Sequence, residues 1–432
     1  MPETSLETDA RPLRDSLALA LQADLKAEEA QIIVEEAGPP PERWAHLILQ
    51  DAAREKASDI HLDPSAGGVR VRLRIDGLLH DAVQLSQEQG MRLIRHYKTM
   101  AGLDPVATFL PQDARIEYEL DGRKLDLRVA CAPSRFGEKL ALRLLDPQRV
   151  QRRIKELGLS AEHEKQFEGW ISEISGMCLV CGPIGSGKTT TLYALLHELR
   201  LLNKAVITIE DPVEYHIDGI TQIQVDLRHG MSFSQGIKGM LRLDPDFILV
   251  GEIRDHESAR AAVEVSASGR VVMSTLHARD IAGVLTTLRN WRIENHEIAT
   301  AVELVIAQRL VRCLCTKCRR LEAPNASEKA WLAAVGQPAP AKTWHAIGCA
   351  ACRQTGYLGR TGLFEIWRKD DADYDLILAG TDELAFRRHI RQHGRACLLN
   401  DGLTKAESGA TTLAEVRGVL GQVGVACSLP GK

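Results

Sequence analysis

Gly182-Pro183-Ile184-Gly185-Ser186-Gly187-Lys188-Thr189 decides the fold, because of what stands on either side of it. The apolar run Met177–Cys181 leads in, and the helix-compatible Thr191-Leu192-Tyr193-Ala194-Leu195-Leu196 follows. A glycine-rich turn between a strand and a helix can curl its backbone N–H groups around phosphate oxygens, at a helix terminus that favours negative charge. Lys188 supplies a point charge for β- and γ-phosphates, and the Thr189 hydroxyl can ligate Mg²⁺. With Thr190 they complete the predicted nucleotide-binding set, and ATP with Mg²⁺ is the expected ligand. A plain glycine-rich turn is the alternative reading, and the strand-to-helix context argues against it.

Outward from this loop, apolar strands alternate with helical segments: Met177–Cys181, Ala205–Ile209, Phe247–Val250 and Val271–Ser274. That alternation is the signature of a parallel sheet wrapped by helices. In such sheets the carboxyl ends of the strands face the ligand. Three polar residues are expected there. Glu210, in Ile209-Glu210-Asp211-Pro212, is placed to orient water or the metal shell, with a solvated or capping role as the alternative. Glu252 ends the apolar Phe247-Ile248-Leu249-Val250-Gly251 and is the predicted base or water-orienting residue. His277, at the tip of Val271-Val272-Met273-Ser274-Thr275-Leu276, is placed to touch the γ-phosphate or its sensor network, against the alternative of a structural histidine.

The chain has 432 residues, enough for two or three domains with separate cores. Its 54 basic and 58 acidic residues leave a net charge of −4, so no global field draws it to nucleic acid or anionic lipid. The start, MPETSLETDA, lacks the basic and apolar segments of a signal peptide, and nowhere do eighteen apolar residues run together. A soluble cytoplasmic protein with no membrane span of its own is expected. Residues 1–40 read as a short charged segment ending in a Pro-rich joint, Gly38-Pro39-Pro40-Pro41. A helical stretch over Trp44–Lys56 and alternating runs punctuated by Asp76-Gly77 and Asp121-Gly122 predict a small α+β domain over 41–150. The catalytic domain follows over 151–312.

Two CxxC pairs, Cys315/Cys318 and Cys349/Cys352, are separated by thirty residues. Each can supply two thiolates from a tight knuckle, and four thiolates match the tetrahedral preference of a structural Zn²⁺ ion. A redox role or unrelated core cysteines are the alternatives. A subdomain over 313–366 is expected to hold them, followed by helices over 367–432. Cys178 and Cys181 also read CxxC, but they sit on a strand, where they point to opposite faces and belong to the core. Cys131, Cys313, Cys397 and Cys427 are likewise read as packing residues.

In order and spacing, GPIGSGKTT, ITIEDPVEY, LRLDPDFILVGEIRD and STLHARD resemble the phosphate loop, aspartate box, second NTPase motif and histidine box of the secretion and pilus-assembly ATPases. KASDIHLDP, RLRIDGLLH and LPQDARI are similar to segments that precede the motor domain in those proteins, so the likeness spans roughly residues 43–425. The resemblance implies a RecA-like P-loop motor domain, a smaller PAS-like α+β domain, and a homohexameric ring with ATP between the two domains. It implies that arginines of the smaller domain reach the phosphates; Arg115 and Arg128 match best, with Arg74 a third candidate. A tetracysteine segment at this place is a property of the extension and secretion branches. Departures include Phe109, where relatives keep an arginine, Ala114 for glycine, and ACAPS over 130–134. A thinner set of interdomain arginines bears on turnover more than on nucleotide binding.

The function expected is therefore an ATP-hydrolysing motor for type II secretion or type IV pilus assembly, acting on an inner-membrane platform protein and associated with that membrane through its partners. A DNA-translocating P-loop motor is the rival reading, since zinc sites often mark nucleic-acid binders. Only 4% of residues are aromatic and no long basic stretch appears, so stacking platforms for bases are scarce and no nucleic-acid partner is expected. A nucleotide-binding scaffold with weak turnover is the third possibility.

Overall fold

The computed structural model describes residues 40–145, 152–171, 175–202, 204–393 and 397–428. The expected segment over 1–40 therefore lies almost wholly outside the described residues, as does the side chain of Cys427. The chain divides into two compact units, one of Met1–Arg149 with Gly348–Thr355 and one of Val150–Ile347 with Gly356–Lys432.

In the first unit, helix α1 (Pro41–Arg54) opens on a proline, whose preset φ and missing N–H suit the first helical position. Strands β1 (Asp59–Ser65), β2 (Gly68–Ile75) and β3 (Leu78–Leu85) come next, followed by α2 (Gln87–Met100) and then β4 (Gln112–Leu120), β5 (Arg123–Ser134) and β6 (Gly137–Leu145). They form one antiparallel sheet in the order β3-β2-β1-β6-β5-β4. Two of its hairpins turn on Asp76-Gly77 and Asp121-Gly122, with φ of 49°, 89°, 49° and 75°. Positive φ at both central residues is the tight-turn geometry that Asp-Gly adopts readily. Helix α2 carries no motif; its signal is Ser86 with Gln89, which close a reciprocal capping box. Trp44, Ile48, Leu93 and Tyr97 of the helices pack on Ile60, Leu62, Leu73, Leu127 and Leu142 of the sheet. Strand alternation turns Arg72, Arg74, Arg115, Arg128 and Arg143 to the opposite face.

The second unit begins with α3 (Ala161–Ile171) and β7 (Gly176–Cys181), and continues through α4 (Lys188–Arg200), β8 (Val206–Glu210), β9 (Thr221–Gln224), α5 (Phe233–Met240), β10 (Phe247–Val250), α6 (His256–Ala267), β11 (Val271–Leu276), α7 (Ile281–Asn290) and α8 (Asn295–Ala301). The long β12 (Val302–Leu314) then leads to β13 (Arg320–Glu322), α9 (Ala326–Ala334), β14 (Thr343–His345) and β15 (Tyr357–Arg368). Helices α10 (Asp371–Leu378), α11 (Glu383–Gln392), α12 (Leu398–Glu407) and α13 (Leu413–Ser428) close the chain. The large sheet runs β15-β12-β7-β11-β10-β8-β9, parallel except where β15 pairs antiparallel with β12.

Strands β7, β8, β10 and β11 are buried along their whole length, which is why they read as unbroken apolar runs. Cys181 joins the core on one side of the sheet with Ile209, Val250 and Leu285, and Cys178 joins Leu195, Leu249 and Ile306 on the other. Cys131 and Cys397 are buried too, whereas Cys313 is half-buried. One boundary differs from expectation. Residues 357–366, grouped on sequence with the cysteines, belong to β15 and pair with β12 through Leu310↔Gly362 and Ala307↔Glu365, so the cysteine segment, with β13, α9 and β14, lies in sequence between two strands of the large sheet.

Candidate functional site

The parallel strands deliver their carboxyl ends to one edge of the large sheet, and four loops meet there. The first is the phosphate loop. Its glycines adopt left-handed backbone where a side chain would be strained, with φ of 78° at Gly185 and 90° at Gly187. Close packing forbids side chains as well. A Cβ on Gly182 would lie 2.5 Å from the Gln308 carbonyl oxygen, and one on Gly187 would lie 2.8 Å from Gln308 Nε2. Helix α4 begins at Lys188, so its first free N–H groups open onto the loop. Ile184 stands 88% exposed at the tip, with Pro183, Gly185 and Thr189 exposed around it and Thr190 half-buried.

Lys188 folds back over this loop and donates to the carbonyls of Gly182 (2.9 Å) and Pro183 (3.2 Å). Burial pulls its ammonium below the ordinary lysine range, and the Glu252 carboxylate pushes the other way. Ser186 Oγ is buried and has no hydrogen-bond partner among the described residues. A cradle closed to side chains, a partly desolvated lysine and an unsatisfied hydroxyl together fit a bound polyphosphate, with Thr189 positioned at the helix start to ligate magnesium.

Cross-strand bonds set the other loops. Gly251 N donates to Ile209 O (2.8 Å), Thr275 Oγ1 to Gly251 O (2.9 Å) and Ile253 N to Thr275 O (2.9 Å), which pins the chain on both sides of Glu252. Glu252 Oε2 lies 3.6 Å from His277 Nε2, and Oε1 accepts from Arg254, which reaches Asp211 as well at 3.2 Å. The two predicted residues Glu252 and His277 are thus brought together. Glu210 is treated differently by the fold. It is buried, its Oε2 accepts from the Tyr193 hydroxyl, and its Oε1 accepts from Thr208 Oγ1 (2.6 Å) and Gln222 Nε2 (3.3 Å). Burial and then Glu210 push the Tyr193 phenol well above its usual range, so it donates steadily. Tyr193 and Gln222 escape notice in the sequence because the residue they bond, Glu210, lies on another element.

In the first unit, Arg115 and Arg128 are cross-strand neighbours, and the ladder extends the row through Arg143 and Asp59 to Arg74. Arg115 pairs with Asp126, while Arg74 donates to Gly77 O (3.0 Å) and approaches Asp59 at 3.6 Å. Arg143, 3.2 Å from Asp59, was not singled out on sequence because only the strand register aligns it with the others.

The ligand atoms of Cys315, Cys318, Cys349 and Cys352 all lie within 4.8 Å of one another. Cys349 Sγ and Cys352 Sγ are 3.7 Å apart, close to the ~3.8 Å edge of a tetrahedron with Zn–S bonds of about 2.3 Å. The donor set and its spacing therefore fit zinc. A separate cleft of about 790 Å³ opens at the amino ends of β10 and β11, lined by Lys204, Asp246, Phe247 and Arg270. It is at the opposite end of the strands from the phosphate loop.

A phosphate loop on a central strand of a parallel sheet, with an acidic residue and a histidine on the neighbouring strand ends, defines a P-loop ATPase. Residues 35–418 match the family described as "Type II/IV secretion system protein". The chain belongs to that family. It is 41% identical over 409 residues to the type II secretion system protein E of Pseudomonas aeruginosa, covering 94% of this chain and 81% of that one. It is 38% identical over 383 residues to the type IV pilus assembly ATPase PilB of Myxococcus xanthus, covering 88% and 68%. Its fold is similar to the X-ray structure of the Legionella pneumophila ATPase DotB, with a TM-score of 0.66, 21% identity, and coverage of 89% of this chain and 96% of that one. Among the described residues no helix is long and apolar enough to cross a membrane.

Proposed function

We propose that this chain is the ATP-hydrolysing motor of a type II secretion or type IV pilus assembly apparatus, working as a homohexamer against an inner-membrane platform protein. The observation that carries this reading is the convergence of the phosphate loop, Glu252 and His277 on one sheet edge, in a chain that matches the family over most of its length. Backbone N–H groups of residues 182–189 and the Lys188 ammonium bind the β- and γ-phosphates. Magnesium, held beside Thr189, neutralises phosphate charge when bound. Glu252 aligns the attacking water and accepts its proton, and His277 reads the terminal phosphate across the 3.6 Å gap to Glu252. Glu210 acts from behind by fixing the strand end that carries Asp211. Arg115 and Arg128 meet the developing phosphate charge with planar, permanently ionised groups. The four cysteines hold a structural zinc ion and take no part in the chemistry.

The relatives' names favour this motor over one that moves DNA. The test is steady-state ATPase activity of the purified chain with and without DNA, beside a pull-down of membrane partners. Glu252→Gln is expected to keep ATP binding and to lower kcat by about 100-fold. Wild-type turnover in that variant, or hydrolysis that survives Lys188→Ala, defeats the assignment.

A further inference from the structure

Arg309 belongs to none of the motifs, yet its guanidinium bridges the strand under the phosphate loop and the histidine-bearing segment. It lies on β12 beside β7 and is 7% exposed. Nη1 donates to the Gln308 carbonyl at 2.8 Å, and Nη2 donates to the Arg279 carbonyl at 2.6 Å. The first acceptor is the oxygen against which Gly182 packs, and Nη1 itself stands 3.1 Å from where a Gly182 Cβ would be. The second acceptor is two residues beyond His277. The floor under the loop is itself fastened, since the Gln308 side chain is buried and accepts from Thr191 Oγ1 of α4 at 2.7 Å.

We infer that Arg309 is a positioning residue for ATP hydrolysis, a strut that sets the height of the His277 segment above the phosphate loop. The inference rests on the ATPase reading of the site. An arginine suits the task because its planar fork spans two carbonyls on separate segments, whereas lysine offers a single ammonium that cannot hold both in one geometry. Burial strips water from the guanidinium, so its two bonds to the protein are not in competition with solvent. The tie continues past the site. Asp280 caps α7 through Gly283 N (2.9 Å) and accepts from Arg387 of α11 (2.7 Å), so the segment that Arg309 holds is also fixed to the C-terminal helices.

Positioning through His277 predicts a particular kinetic pattern. Arg309→Lys is expected to leave the Kd for ATP within threefold, because the loop N–H groups and Lys188 remain, and to lower kcat tenfold or more. In a background that already carries His277→Ala, the same substitution is expected to cost less than twofold, since both act on one element. A kcat for Arg309→Lys within twofold of wild type overturns the inference, and so does a full multiplicative loss in the His277→Ala background. Thermal melts accompany the kinetics. If Arg309→Lys does not fold, hydrogen exchange of the wild-type chain decides: a non-hydrolysable ATP analogue is expected to slow exchange at 277–283 together with 182–190, and protection confined to 182–190 overturns it. Absence of ATPase activity in the wild-type chain is a different outcome, which removes the proposed function itself.

Discussion

Glu365 is a carboxyl group that the fold holds neutral, and the consequence can be measured. It stands on β15 opposite Ala307 of β12, 8% exposed, close to the phosphate-loop strand. Burial pushes its pKa from the ordinary 4.5 to about 8, helped by the Cys397 thiol and Asp280 and opposed by the Leu398 N–H. Because the folded pKa is raised, the native state holds a proton that the unfolded chain releases. The stability this group contributes is complete below about pH 4.5 and is lost progressively as pH rises toward about 8. Each pH unit in that window costs about 1.4 kcal/mol, so the loss at pH 7 is about 3 kcal/mol. Glu365→Gln keeps the size and an acceptor oxygen for Leu398 N while removing the titration. The variant is expected to melt near the wild type at pH 5 and roughly 8–15 °C above it at pH 7.5, given ~2–4 °C per kcal/mol for a unit of this size. Taking the difference in Tm between the two proteins across pH 5–8 cancels every other titrating group. A difference that stays flat, or that favours wild type as pH rises, refutes a buried neutral Glu365.

Three further outcomes are expected. Gly187→Ala puts a side chain at φ 90° and 2.8 Å from Gln308 Nε2, so nucleotide affinity is expected to fall about tenfold in a fluorescent-ATP titration. Lys98→Met strands the Glu138 carboxylate, which is 1% exposed and paired with Lys98 at 2.6 Å, and is expected to destabilise the first unit by roughly 3–5 kcal/mol in urea melts. Cys318→Ser breaks the tetrahedral thiolate set, and elemental analysis is expected to show zinc falling from about one ion per chain to a small fraction of that.

The nucleotide loop was legible because every element of it is local: strand, glycines, lysine and helix follow one another within a few residues. The alternation of apolar runs revealed the parallel sheet for the same reason, since strands buried on both faces carry no polar residues. What could not be read is whatever depends on register or on contact between distant strands. Arg143 joins the arginine row only through its pairing with Arg128 and Asp59. Gln308 reaches Thr191 across more than a hundred residues, and no spacing rule records such a contact. The return of β15 to the large sheet was hidden as well, because the cysteine spacing before it suggested a separate module that would carry its own strand.

The two acidic residues singled out on sequence also show why residue type and strand position do not suffice to assign a role. Glu210 and Glu252 both stand at carboxyl ends of adjacent parallel strands, one residue apart in ladder terms, and on pattern alone they are equivalent. Their surroundings separate them. Every carboxylate oxygen of Glu210 is engaged by a neutral donor within the protein, and a group so satisfied has little to gain by turning toward water. Glu252 is held by Arg254, which is half-exposed, and faces His277, also half-exposed; an incoming phosphate competes for the same hydrogen-bond donors. A carboxylate whose partners are exchangeable is able to change its contact during a catalytic cycle, and one locked in the core is not. The same sheet edge thus holds one acid whose partners are exchangeable and one that is locked into the core by neutral donors.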